Sequence, residues 1–81
     1  MKHKEFWANV VVNLNTFLPE HAINAWFEPL NAIAISEGNI LLEVPNQFFC
    51  EWIDSHYKGE LTASIQKVDK AISGYRFSIG T

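Results

Sequence analysis

Asp54, Ser55 and His56 stand next to one another, and these are the residue types from which a hydrolase assembles an orienting carboxylate, a nucleophile and a base. On a helix, however, neighbours splay by about 100°, so the three cannot converge to pass a proton. His3, His21 and His56 are widely scattered and lack Cys or carboxylate partners at ligand spacing, so they point to solvated or structural roles and not to a zinc site. Cys50, the one cysteine, lies off the main apolar stripe with no basic pair beside it to hold a thiolate, and reads as a bystander. No G-x-x-x-x-G-K-[ST] segment is present to cradle nucleotide phosphates. Gly38, Gly59, Gly74 and Gly80 are isolated, so the G-x-x-G clamp of a KH nucleic-acid binder is missing too. The expectation is a chain that is not an enzyme and uses no cofactor.

Charge bears on the partners. Six Lys and Arg against nine Asp and Glu leave a formal charge of -3, opposite to the basic footprint of a dedicated nucleic-acid binder. Lys58, Lys67, Lys70 and Arg76 are the residues from which a modest positive patch could be built. Acidic residues are interspersed among them and no row of exposed aromatics is evident for base stacking, so single-strand binding is a secondary reading.

The elements that would position these groups come from periodicity. A chain of 81 residues that is 48% hydrophobic, with three Trp, six Phe and two Tyr, supports one core and one domain over 1–81. The unpaired cysteine, the lack of a signal peptide and the lack of a run of about 18 apolar residues suit a cytoplasmic setting with no membrane partner. Met1 to Lys4 is polar and is expected to fray. From Glu5 to Leu18 the residues Phe6, Trp7, Val10, Val11, Leu14, Phe17 and Leu18 recur at helical spacing. The arc from Phe6 to Val11 spans roughly 140°, wider than the minimal stripe of about 100°, so one flank can stay exposed. Pro19 suits the first turn of a second helix, carrying Ile23, Trp26 and Phe27 on one face, and Pro29 should push Glu28 out of the helical region and end it.

Leu30–Ser36 and Ile40–Val44 alternate as strands about a turn at Glu37-Gly38-Asn39, a hairpin pattern. Asn46 can cap a third helix presenting Phe48, Phe49, Trp52, Ile53 and His56. Tyr57, Leu61, Ile65 and Val68 form a stripe turned by more than a right angle from that face, which calls for a break near Lys58-Gly59. After Ser73-Gly74, Tyr75, Phe77 and Ile79 alternate as a last strand. The order ααββααβ gives an α+β fold, a three-stranded sheet with helices packed on one face.

Trp7, Leu18-Pro19, Trp26-Phe27-Glu28-Pro29-Leu30 and Val44-Pro45-Asn46-Gln47-Phe48 followed by Trp52 and Tyr57 together resemble the N-terminal domain of the bacterial replication initiator DnaA. The likeness runs over nearly the whole chain. It implies a fold like the type II KH domain and, in an intact protein, a flexible linker to ATPase and duplex-binding domains whose motifs these residues do not contain.

The same resemblance implies a protein-interaction module that associates weakly with itself and recruits the replicative helicase DnaB and initiation regulators. Trp7 matches the self-association position and Phe48 a helicase contact. Of Phe48 and its neighbour Phe49, which cannot share a direction on a helix, one is expected to be less buried. The family's acidic contact position on the second helix is occupied here by Ala22. Glu20 lies two residues earlier, turned by about 200°, and cannot present its carboxylate in the same direction. A stand-alone KH-like module binding single-stranded nucleic acid is the alternative, with the missing G-x-x-G and the negative charge against it.

Overall fold

A computed structural model describes residues 2–80 of the chain. Helix α1 spans His3–Leu14; α2 is a short turn, Glu20–Ala22, that continues as a π-helical stretch over Ile23–Phe27; α3 spans Gln47–His56 and α4 Lys58–Val68. Strands β1 (Asn31–Ser36), β2 (Asn39–Val44) and β3 (Gly74–Ile79) form one sheet in the order β1-β2-β3. The α+β class and the ααββααβ order therefore hold. The sheet is mixed: β2 pairs antiparallel with β1 and parallel with β3. A parallel neighbour needs a crossover, and α3 and α4 supply it.

Helix α1 begins earlier and ends sooner than its apolar pattern predicts. His3 and Lys4 are helical, with Phe6 N–H bonded to the Lys2 carbonyl at 2.9 Å. At the other end Asn13, Asn15 and Thr16 turn their side chains onto the carbonyls of Asn9, Val11 and Asn13, the local competition by which such residues close a helix. Phe17 is left exposed beyond that end. Pro19 precedes the second helix as its cap residue and does not sit inside the first turn.

Glu28 corrects a second expectation, since it keeps helical angles (φ -58°, ψ -40°) in spite of Pro29. Its N–H reaches Ile23 O at 2.9 Å, an i to i−5 closure. That bond holds Glu28 in place, and the missing Pro29 N–H ends the helix all the same. The π turn keeps Ile23 and Phe27 buried while Trp26 emerges half-buried beside them.

The hairpin turn is formed by Glu37 (φ +53°) and Gly38 (φ +78°). Positive φ at both central residues is the type I′ geometry whose twist suits a two-residue hairpin. A bulge between Ala32 and Ala34 leaves Ile33 as the extra residue, 41% exposed, while Ala32 faces inward. Asn46 caps α3 as its spacing predicts, its Oδ1 accepting from Phe49 N–H at 3.3 Å.

The break between α3 and α4 falls at Tyr57 (φ -128°, ψ 9°), one residue before the expected site. Tyr57 rests against Phe27 with ring centroids 5.6 Å apart, so packing sets the corner. Gly59 sits in the first turn of α4 with no atom near the place of a Cβ. Phe6, Val10, Leu14, Ile53, Leu61 and Ile65 from the helices meet Ile40, Leu42 and Val44 from β2 in one core. Leu41 and Glu43, on the other face of β2, are only partly covered.

Candidate interaction surface

The exposed end of α3 is aromatic. The Asn46 cap fixes where α3 starts, and the first turn then places Phe48 outward, 57% exposed, and Phe49 half-buried. Phe48 meets the edge of Trp26 (centroids 5.7 Å apart, planes at 60°) and leans on Trp52 at 5.8 Å. Trp26 and Trp52 stack at 4.9 Å with planes 12° apart, and Trp52 is covered on its other side by His56 at 4.0 Å and 15°. His56 is anchored in turn through Nδ1, 3.1 Å from the Trp52 carbonyl.

The π stretch and α3 thus present one continuous aromatic face whose rings brace one another. Offset and edge-on ring pairs contribute about 0.5–1.5 kcal/mol each beyond area burial. The Trp52 indole N–H is enclosed and among the described residues has no hydrogen-bond partner, a cost of about 1–3 kcal/mol that the stacking offsets.

The other predicted site residues lie in different places. Trp7 is 8% exposed and belongs to the core; it lines a shallow depression with Ala8, Val11 and Glu28. The apolar residues of α1 that are exposed are instead Ala8 and Val12, the latter at 66%. Ala22 is buried, at 4%, so its methyl offers almost no contact surface, while Glu20 is exposed at the start of α2. The four basic residues divide into pairs. Lys58 and Arg76 line one open groove with Asp54, Thr62 and Tyr75, whereas Lys67 and Lys70 line another with Ala63 and Gln66. Nine residues separate Lys58 from Lys67, which puts them on opposite sides of α4 at about 100° per residue.

Asp54 and His56 are directed to different partners. Asp54 Oδ1 accepts from the Tyr75 hydroxyl at 2.6 Å, tying α3 to β3. Partial burial, then the hydrogen bond to Asp54 and its charge, raise the Tyr75 pKa above the ordinary phenol value. Burial also pushes the Cys50 thiol up, helped by the carboxylates of Asp54 and Glu51 against a smaller opposing backbone hydrogen bond. A thiol so placed stays protonated and weakly nucleophilic. Periodicity did not announce the Trp26–Trp52 stack or the Tyr75–Asp54 bond. The available signal was the pair of tryptophans within the two most distinctive sequence elements.

Fold and surface define a small α+β domain with one braced aromatic face, and among the described residues no helix is long and apolar enough to cross a membrane. The chain belongs to the DnaA N-terminal domain family, whose model matches residues 4–67. It is 30% identical over 61 residues to a chromosomal replication initiator protein DnaA of Flavobacterium psychrophilum, covering 75% of this chain and 13% of that protein. The proteins of the same description from a Wolbachia of Brugia malayi and from Citrifermentans bemidjiense are 33% and 29% identical, over 86% and 94% of this chain and 15% and 16% of theirs. The chain therefore spans about one-seventh of the length of these relatives.

Proposed function

We propose that this domain acts by binding and not by catalysis, as the protein-interaction module of a cytoplasmic bacterial replication initiator. It recruits the replicative helicase and initiation regulators and associates weakly with itself. The observation that supports this most is Phe48, a large aromatic held outward against Trp26 and Trp52. An anchor braced before the partner arrives loses little side-chain freedom on binding, and central aromatics of this kind carry much of an interface's energy. Glu20 is a rim charge in this reading, affecting association rate more than affinity.

Self-association uses the α1 flank, with Trp7 as the buried support and Ala8 and Val12 as the exposed contacts. So small a patch supports only micromolar to millimolar affinity.

The test is titration of the source bacterium's replicative helicase with this chain and with Phe48→Ala. Clear weakening by a folded variant supports the reading; equal capture overturns it. Sedimentation of the parent and Ala8→Asp over a concentration series tests the α1 contact in the same way. Equal monomeric behaviour at the highest concentration removes it.

A further inference from the structure

Among the described residues β3 is an edge strand, paired only with β2. Gly80 N–H bonds the Val44 carbonyl at 2.9 Å, and Ile79 is the register partner of Val44. Alternation along a parallel ladder then turns the N–H and C=O groups of Arg76 and Ser78 toward β2, and those of Tyr75, Phe77 and Ile79 away from it. Among the described residues these three outward sets of backbone groups have no partner. The side chains of Tyr75, Phe77 and Ile79 lie on the helix side of the sheet, opposite Ile40, Leu42 and Val44, but are only partly covered; Ile79 is 49% exposed. An apolar shelf therefore runs along an unpaired edge.

The groove beside the first half of that edge is open, with a volume of about 640 Å³. Lys58, at the start of α4, and Arg76 line it, and among the described residues neither has an ion-pair or hydrogen-bond partner. The carboxylate there, Asp54, already accepts the Tyr75 hydroxyl. A chain of net charge -3 thus places two unpaired cations beside its free strand edge.

We propose that the β3 edge is a docking site for an extended acidic peptide segment, which adds to the sheet as a fourth strand. Its main chain pairs with Tyr75, Phe77 and Ile79. Alternate apolar side chains cover the shelf, its carboxylates, turned to the other face of the sheet, meet Arg76 beside Leu41, and Lys58 adds electrostatic attraction from the helix side. Strand addition draws affinity from main-chain bonds and specificity from alternate side chains. A peptide matches the alternating donors and acceptors of the edge. A phosphodiester backbone has no donor to offer the exposed carbonyls, which disfavours single-stranded DNA here.

The probe is an end-blocked octapeptide alternating Val and Glu, added to the whole chain and followed by amide chemical shifts and hydrogen exchange. Binding should shift and protect the amides of Tyr75, Phe77 and Ile79. Methylating alternate peptide nitrogens on the ladder-forming side should weaken binding at least tenfold, as should replacing Glu by Lys. The double variant Lys58→Glu, Arg76→Glu, both exposed positions, should lose the acidic peptide and gain the basic one.

The proposal is overturned by shifts confined to another surface, by no shift at millimolar peptide, by equal binding of the N-methylated peptide, or by saturation of the same amides by oligothymidylate with none by peptide. Protection of those amides that rises with protein concentration and excludes the peptide would instead assign the edge to a second copy of this chain, and would equally overturn it.

Discussion

Trp26 and Trp52 lie face to face across two separate elements, 4.9 Å between ring centroids and 12° from parallel. The π turn delivers one ring and the Asn46-capped helix the other. Their stack is the wall against which Phe48 rests. Coupling between the two tryptophans should therefore be measurable. In a double-mutant cycle of Trp26→Ala and Trp52→Ala, urea denaturation should give an interaction energy of about 0.5–1.5 kcal/mol. Strict additivity would mean that the rings support the fold independently.

Phe48→Ala should leave the domain folded, because a side chain 57% exposed has little burial to lose. The expected destabilisation is about 1 kcal/mol, well below the 3–5 kcal/mol of a buried Phe. The helicase contact proposed above should weaken by about 2 kcal/mol, roughly thirtyfold. Thermal unfolding and a binding titration on the same preparation separate the two effects.

Ser64 is fully buried in α4 and among the described residues its hydroxyl has no hydrogen-bond partner. Removing an unsatisfied buried hydroxyl recovers about 1 kcal/mol or more, and Ala is the better helix former. Ser64→Ala should raise the urea midpoint without changing the slope of the transition. A lower midpoint would show that the hydroxyl has a partner.

The turn residue Glu37 carries a left-handed φ of +53°. Such a conformation costs an ordinary L-residue about 1–2 kcal/mol, less for Asn. Glu37→Asn should stabilise the hairpin by a few tenths of a kcal/mol, and Gly38→Ala should destabilise it by about 1 kcal/mol, both read by urea denaturation.

Tyr75 gives the chain an alkaline limit. Its folded pKa is raised by burial and by the hydrogen bond to Asp54, so the unfolded chain releases the phenol proton first. The stabilisation is complete below the unfolded value of about 10 and declines as pH rises above it toward the folded pKa. Denaturation of the parent between about pH 9 and pH 11 should show a steeper fall in stability than Tyr75→Phe, which has no such proton to lose. Equal slopes would remove Tyr75 from the account.

Much of this architecture was legible in the residues because it is local. Asn46 three residues before Phe49, Glu37-Gly38 between alternating runs, and the two displaced apolar stripes of α3 and α4 each specify geometry within a few residues of themselves. Boundaries slipped where packing or side-chain bonding competed with periodicity, as at Tyr57, at Glu28 and after Leu14. The resemblance drew attention to Trp7, Phe48, Glu20 and Ala22, but it could not say which of them faced water. An apolar arc names the residues eligible for burial, and only the neighbours that arrive from elsewhere in the chain decide which are covered. Hence Trp7 and Ala22 lie inside while Val12 and Phe48 remain outside. The same holds for Asp54 and Tyr75, 21 residues apart and joined at 2.6 Å, and for Lys58 and Arg76, brought to one groove from α4 and β3. Those relationships depend on the α3–α4 crossover that sets β3 parallel to β2, a long-range pairing that no local period encodes.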